Sequence, residues 1–234
     1  MKNLKKQFEA FTLAEVLITL GIIGVVAAIT IPTLIQNYKR QYTAVRVKKF
    51  YSMMSEAIKL SEIDNGPTEE WTKEEMAYNK DGVLQNAENA KLAHKYFNKY
   101  IKSYIKYLKV DENPKELQID NKAASMIKIY LTDGSTFYFN NGQCAHFVFD
   151  INGDKGPNEG GKDNFNFLIC SDDNYKQIFL WRNFTSNFVP YCGGANNCRT
   201  RTAAKAKCKA DASTCTGLLV IDGWEFKSDY PYKL

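Results

Sequence analysis

The first 143 residues contain no cysteine, and the whole chain holds only two histidines, His94 and His146. That scarcity leaves little material for a histidine-built metal centre or a catalytic base. No G-x-S-x-G, G-x-x-x-x-G-K-[ST] or H-E-x-x-H occurs, which excludes the motif readings of serine hydrolase, P-loop enzyme and zincin. The glycine-rich run from Gly153 to Gly161 lacks the Lys-Ser/Thr of a phosphate cradle. Repeats and low-complexity tracts are also missing. Charge nearly vanishes over one long stretch: between Phe11 and Ile35 the only ionisable side chain is Glu15.

What is present describes a folded chain. Hydrophobic residues make up 44% and aromatics 13% of 234 residues, enough for one globular domain plus an extra element. The net charge is +5, of which Lys2, Lys5 and Lys6 against Glu9 supply +2 before residue 10. Elsewhere both signs are interspersed, which describes a solvated surface and not a nucleic-acid footprint. The six cysteines, Cys144, Cys170, Cys192, Cys198, Cys208 and Cys215, crowd into the C-terminal part. An even number so confined reads as the disulfide-stapled region of an exported protein. No pair has C-x-x-C spacing. Short loops favour Cys192–Cys198 and Cys208–Cys215, although spacing alone does not fix the connectivity.

The apolar run Phe11–Ile35 would span about 37 Å as a helix, against roughly 30 Å of hydrocarbon. Lysines before it and none within it place the N-terminus in the cytoplasm and the rest of the chain outside the inner membrane. An ordinary secretory signal, with Ala27-Ala28 near its cleavage site, and a plain signal anchor compete with this reading. Glu15 separates them: an intramembrane carboxylate is costly and marks a functional contact, unless it snorkels to the headgroups.

The stretch Ala10-Phe11-Thr12-Leu13-Ala14-Glu15-Val16-Leu17-Ile18 resembles the prepilin N-terminal cleavage and methylation motif of type IV pilins and type II secretion pseudopilins. The resemblance covers residues 10–40 and includes Glu15 as the fifth, and Pro32 as the twenty-second, residue after the cut. It implies that prepilin peptidase cleaves between Ala10 and Phe11 and N-methylates Phe11. Ala10 stands where the family usually has Gly, which keeps a small residue before the cut. It further implies that the Phe11 amine pairs with Glu15 of a neighbouring subunit, and that an inner-membrane assembly platform and other pilin subunits are partners. A mismatched register would leave that buried charge unpaired. The product would be a structural subunit, not an enzyme, at first in the bilayer and then in a periplasmic pseudopilus or surface pilus. A membrane-anchored binding or adhesion module that does not polymerise is the alternative.

The expected organisation is α+β and pilin-like: leader 1–10, transmembrane half-helix 11–35, amphipathic half-helix 36–64, and globular domain 65–234. Gly24 and Pro32 predict a kink or melted segment between them. Apolar residues at three- and four-residue steps continue the first helix to Asp64, where Asn65-Gly66-Pro67 stops it. A second helix is expected over Asn89–Val110, ended by Asn113-Pro114. Alternation then predicts a hairpin, Met126–Leu131 and Thr136–Phe139, turning at Asp133-Gly134. Strands are also expected at Cys144–Asp150, Gln177–Trp181 and Gly217–Asp222.

One further motif stands apart. Asp150, Asn152 and Asp154 alternate as D-x-N-x-D and Asp163 follows, which are oxygen donors of the kind calcium takes. Asp172 and Asp173 would join if the chain folds back. The loop is not an EF-hand, since Lys155 and Gly161 occupy the positions of its Gly and Glu. It resembles loosely the Asp-rich loop of type II major pseudopilins, which implies calcium, while its Asp, Asn and Gly would equally serve a polar turn.

Overall fold

The computed structural model describes residues 11–73, 77–83, 85–119, 122–142, 144–170 and 187–234. The leader with Ala10, the expected strand Gln177–Trp181, and Asp172 and Asp173 lie outside the described residues. The chain divides into two compact units, Met1–Arg40 and Gln41–Leu234.

Helix α1 (Leu13–Asn65) begins in the first unit and supplies all its described structure beyond Phe11 and Thr12. From Phe11 to Ile35 every residue is exposed except half-buried Ala27. This is the one described helix long and apolar enough to cross a membrane. The helix is continuous through Gly24 and Pro32, so of the expected kink or melted segment the melted form is not seen. Pro32 removes one backbone donor, and the regular turns on either side retain theirs. Thr19 and Thr30 return their hydroxyls to the carbonyls of Val16 and Val26, which satisfies both without a partner outside the helix.

The second unit is an α+β domain. The remainder of α1 buries Thr43, Ala44, Val47, Phe50, Met54, Ala57, Ile58 and Ser61, one stripe at helical spacing. That stripe lies on a six-stranded antiparallel sheet in the order β1-β2-β3-β4-β5-β6. The strands are β1 (Tyr107–Ile119), β2 (Lys122–Leu131), β3 (Thr136–Asn141), β4 (Cys144–Asp150), β5 (Asn164–Cys170) and β6 (Phe188–Pro190). Register aligns one inward face across the sheet: Ile129 opposes Phe137, Phe137 opposes Phe149, and Phe149 opposes Phe165. Phe50 enters this ladder from α1 and stacks on Phe149 at 4.2 Å between centroids, with Phe137 and Phe167 each at 5.5 Å. Arg46 and Lys49, on the flank of α1 beside Phe50, both reach Asp133 at the β2–β3 turn. Burial works against the Asp133 charge, yet Ser135, Lys49 and Arg46 hold its pKa at about 2.

Helix α2 (Asn86–Tyr100) covers the sheet beside α1 through Ala93, Tyr96 and Phe97, and Trp71 stacks flat on Tyr100 at 4.5 Å. It ends ten residues before the expected Val110, because Tyr107–Val110 pairs with β2 instead. Asn113-Pro114 falls at the register shift of β1, where an edge strand tolerates a residue without an N–H. Two helices follow the sheet, α3 (Arg201–Ala210) and α4 (Cys215–Ile221). The expected strand at Gly217–Asp222 is therefore corrected to helix. Short apolar runs are ambiguous by periodicity alone, and here packing decides. A Cβ on Gly217 would sit 2.5 Å from Cys192 Sγ and 2.8 Å from Cys198 Sγ, so only glycine lets α4 rest on that bridge.

Candidate functional site

Three places carry the residues that the sequence singles out. The first is the start of α1. Thr12 caps it: the Thr12 N–H and hydroxyl donate to Glu15 Oε2 at 2.9 and 2.8 Å, and the Glu15 N–H donates back to Thr12 Oγ1 at 3.3 Å. This reciprocal arrangement is a capping box. The Thr12 cap was missed by the sequence reading, although T-x-x-E before an apolar run was the available signal. Phe11, the residue just before the cap, is 85% exposed. Leu13, Leu17, Leu20 and Ile23 are likewise exposed among the described residues.

The second place is the C-terminal region. Cys144–Cys170, Cys192–Cys198 and Cys208–Cys215 are disulfides. Cys144 and Cys170 stand directly opposite each other on β4 and β5. Cys208–Cys215 joins α3 to α4 across the turn between them. Arg201 at the start of α3 donates to Asp222 and Asp229, and Lys205 adds a third contact to Asp229. Asp229 is held well below the usual carboxylate range by Arg201 and then Lys205.

The third place is the loop between β4 and β5. Asp150 is fully buried and Asp163 is 3% exposed. One oxygen of Asp150 accepts the N–H groups of Asn152 and Gly153, while Asp163 accepts those of Asn158 and Glu159. Asn152 Nδ2 reaches Asp163 at 3.4 Å. The structure therefore brings Asp150, Asn152 and Asp163 together but not Asp154. The Asp154 carboxylate accepts from Lys128 Nζ at 2.6 Å, outside the loop. Lys128 is itself packed over the rings of Tyr130 and Tyr138. Burial, with Asp163 nearby, pushes Asp150 up to about 6. Among the described residues no three His, Cys, Asp or Glu side chains are grouped to hold a metal.

The histidines are not brought together. His94 on α2 lies 3.3 Å from Glu112, whereas His146 sits on β4, where burial and then Lys73 lower it to about 4. A cavity of about 280 Å³ lies in the second unit beside α1, lined by Arg46, Lys49, Phe50, Tyr104 and Phe149 among others. Its one acid, Asp133, is already engaged by both of those cations.

Comparison with known proteins follows the same division. A family model for the prokaryotic N-terminal methylation motif, the signal carried by type IV pilin and pseudopilin precursors, matches residues 5–31. A long N-terminal helix, an antiparallel sheet and a disulfide-bonded C-terminal region complete a pilin-like α+β fold. A second model matches residues 33–234, and by it the chain belongs to a family of unknown function, DUF6613. No curated protein and no solved structure matches the chain.

Proposed function

We propose that this chain is a structural subunit of a type IV pilus or a type II secretion pseudopilus, assembled through the first half of α1. On this reading residues 1–10 are a leader removed between Ala10 and Phe11, and Phe11 becomes the N-methylated terminus. Residues 11–35 span the inner membrane with the N-terminus in the cytoplasm, and 65–234 form the exported domain with 36–64 as its packed helix. Other copies and related pilins, prepilin peptidase and the assembly platform are the partners.

The observation that carries the reading is the exposed apolar start of α1, headed by a cap that already holds Glu15 in place. In a bilayer such a surface is covered by lipid, and in a filament by the same segment of other copies. Gly21, Gly24, Ala27 and Ala28 allow close helix approach, and a Cβ at either glycine meets nothing within 4 Å among the described residues. The Phe11 amine of one copy would then replace the Thr12 contacts to Glu15 of the next, so that pairing fixes register.

The test is N-terminal mass spectrometry of the protein from cells with and without prepilin peptidase, together with Glu15→Gln. The reading expects a methylated Phe11 terminus only with the peptidase, and loss of sheared filaments in the variant. A terminus that begins before Phe11 in both strains would overturn it. A processed protein that never appears in filaments would favour the non-polymerising anchored module.

A further inference from the structure

We propose that the cavity beside α1 binds a small aromatic carboxylate, with its ring against Phe50 and Phe149 and its charged head between Lys49 and Lys106. The inference stands apart from filament assembly, because every lining residue belongs to the second unit.

Charge selects the head group. Three cations, Arg46, Lys49 and Lys106, line the cavity against one acid, Asp133, which leaves a surplus of two positive charges. Asp133 has little capacity left to neutralise them. Its Oδ1 accepts from the Ser135 N–H and hydroxyl and faces Arg46 Nη2 at 3.3 Å, while its Oδ2 accepts from Lys49 Nζ at 3.0 Å. An ammonium has three donors. Asp133 takes one of those on Lys49, whose side chain is 64% exposed. Lys106 is exposed too, and among the described residues no acid pairs with it. Both ammoniums therefore keep donors that a carboxylate, with its two charged oxygens, can fill.

The walls select the body. Phe50 and Phe149 stack at 4.2 Å between centroids, and Ile105 and Leu131 add branched aliphatic surface. A ring packs on such a wall by burying apolar area and by offset or edge contact with the two phenyls. An inorganic anion would satisfy the ammoniums and leave that wall wet, and a neutral ring would do the reverse. Only a ligand with both parts uses the whole site. The volume, about 280 Å³, admits a small ring system and not a long acyl chain. The site is also formed in advance: the Asp133 pairs and the Phe50 stack already tie α1 to the β2–β3 turn and to β4, so binding orders little new chain.

The full chain, purified in a non-ionic detergent, is titrated with naphthoate by calorimetry, with protein-free micelles as the blank. Saturable binding with a dissociation constant below about 1 mM is expected. The neutral naphthamide should bind at least about ten-fold more weakly, and acetate, a head without a ring, should not saturate in that range. Lys106→Gln should weaken naphthoate at least about three-fold, and Lys106→Arg should restore it. Lys102→Gln, at an exposed lysine outside the lining, should leave binding unchanged. An unmoved melting midpoint in all three variants shows that the fold is kept. No saturable heat with naphthoate would end the proposal. Naphthamide binding as tightly as naphthoate would overturn the anionic head, and equal losses for Lys106→Gln and Lys102→Gln would overturn the assignment to this cavity.

Discussion

Residues 11–40 and residues 41–234 handle apolar surface in opposite ways. In the first, leucine, isoleucine and valine lie exposed along one helix among the described residues. In the second, phenylalanines from four strands and two helices close on each other, with Phe50 at the centre. The same helix serves both, and only the spacing of its apolar residues changes. Around the full circumference they call for an outside partner; as a single stripe they call for a partner within the chain. Selection on the first region therefore concerns what surrounds the molecule, and on the second what fills it.

Substitutions can break this contrast, beginning where the effect is largest. Phe50→Ala removes the ring that α1 inserts between Phe149, Phe137 and Phe167, and should cost about 3–5 kcal/mol in denaturant unfolding of the globular unit. Replacing Cys144 and Cys170 together with alanine opens a bridge across 26 residues of sequence and should cost about 3 kcal/mol by the same measurement. Gly217→Ala places a methyl against the Cys192–Cys198 bridge and should cost about 1–3 kcal/mol as overpacking. Leu17→Ala should leave that unfolding curve unmoved while lowering the yield of sheared filaments. A drop in the melting midpoint with Leu17→Ala would show that the two regions share a core after all.

Acid should sharpen the comparison within the second region. His146 is held down to about 4, so the unfolded chain takes up its proton first, and stability falls as pH drops from about 6.5 towards 4. Asp150 is raised to about 6, so the native state takes up its proton first, and stability rises as pH drops from about 6 towards 4. The two slopes oppose each other over nearly the same window. In calcium-free buffer, Asp150→Asn should expose the histidine-driven loss, and His146→Gln should expose the gain. Midpoints measured across pH 4 to 7 that respond identically in both variants would refute the assignment.

Legibility followed the range of the interactions. The apolar run and the Asp133-Gly134 hairpin are local patterns, and both are where the sequence placed them. The strand Cys144–Asp150 was legible from its alternation, and the chain-wide α+β class from the mixture of periods. What failed was decided at a distance. Tyr104, Ile105 and Leu108 keep a helical step after Tyr100, but β2 offers Tyr107–Val110 an edge to pair with. The run Gly-Leu-Leu-Val-Ile reads equally as strand or helix until the Cys192–Cys198 bridge meets Gly217. Helix α3 carries mostly lysine and alanine and gives too weak an apolar pattern to be seen alone. At the acidic loop, alternation grouped Asp150, Asn152 and Asp154 but could not see that Lys128, distant in sequence, claims Asp154.

The clamp of Arg46 and Lys49 on Asp133 has a mechanical meaning. Along α1, past the buried Thr43 and Ala44, those two cations and Phe50 join the helix to that turn and to the sheet within a few residues. Load enters as shear across a stacked ring and two short ionic contacts, and it is shared among strands whose backbones are already tied by hydrogen bonds. Two of those strands are also joined covalently by Cys144 and Cys170. A force applied through α1 would therefore meet a sheet whose strands are cross-linked by hydrogen bonds and one disulfide.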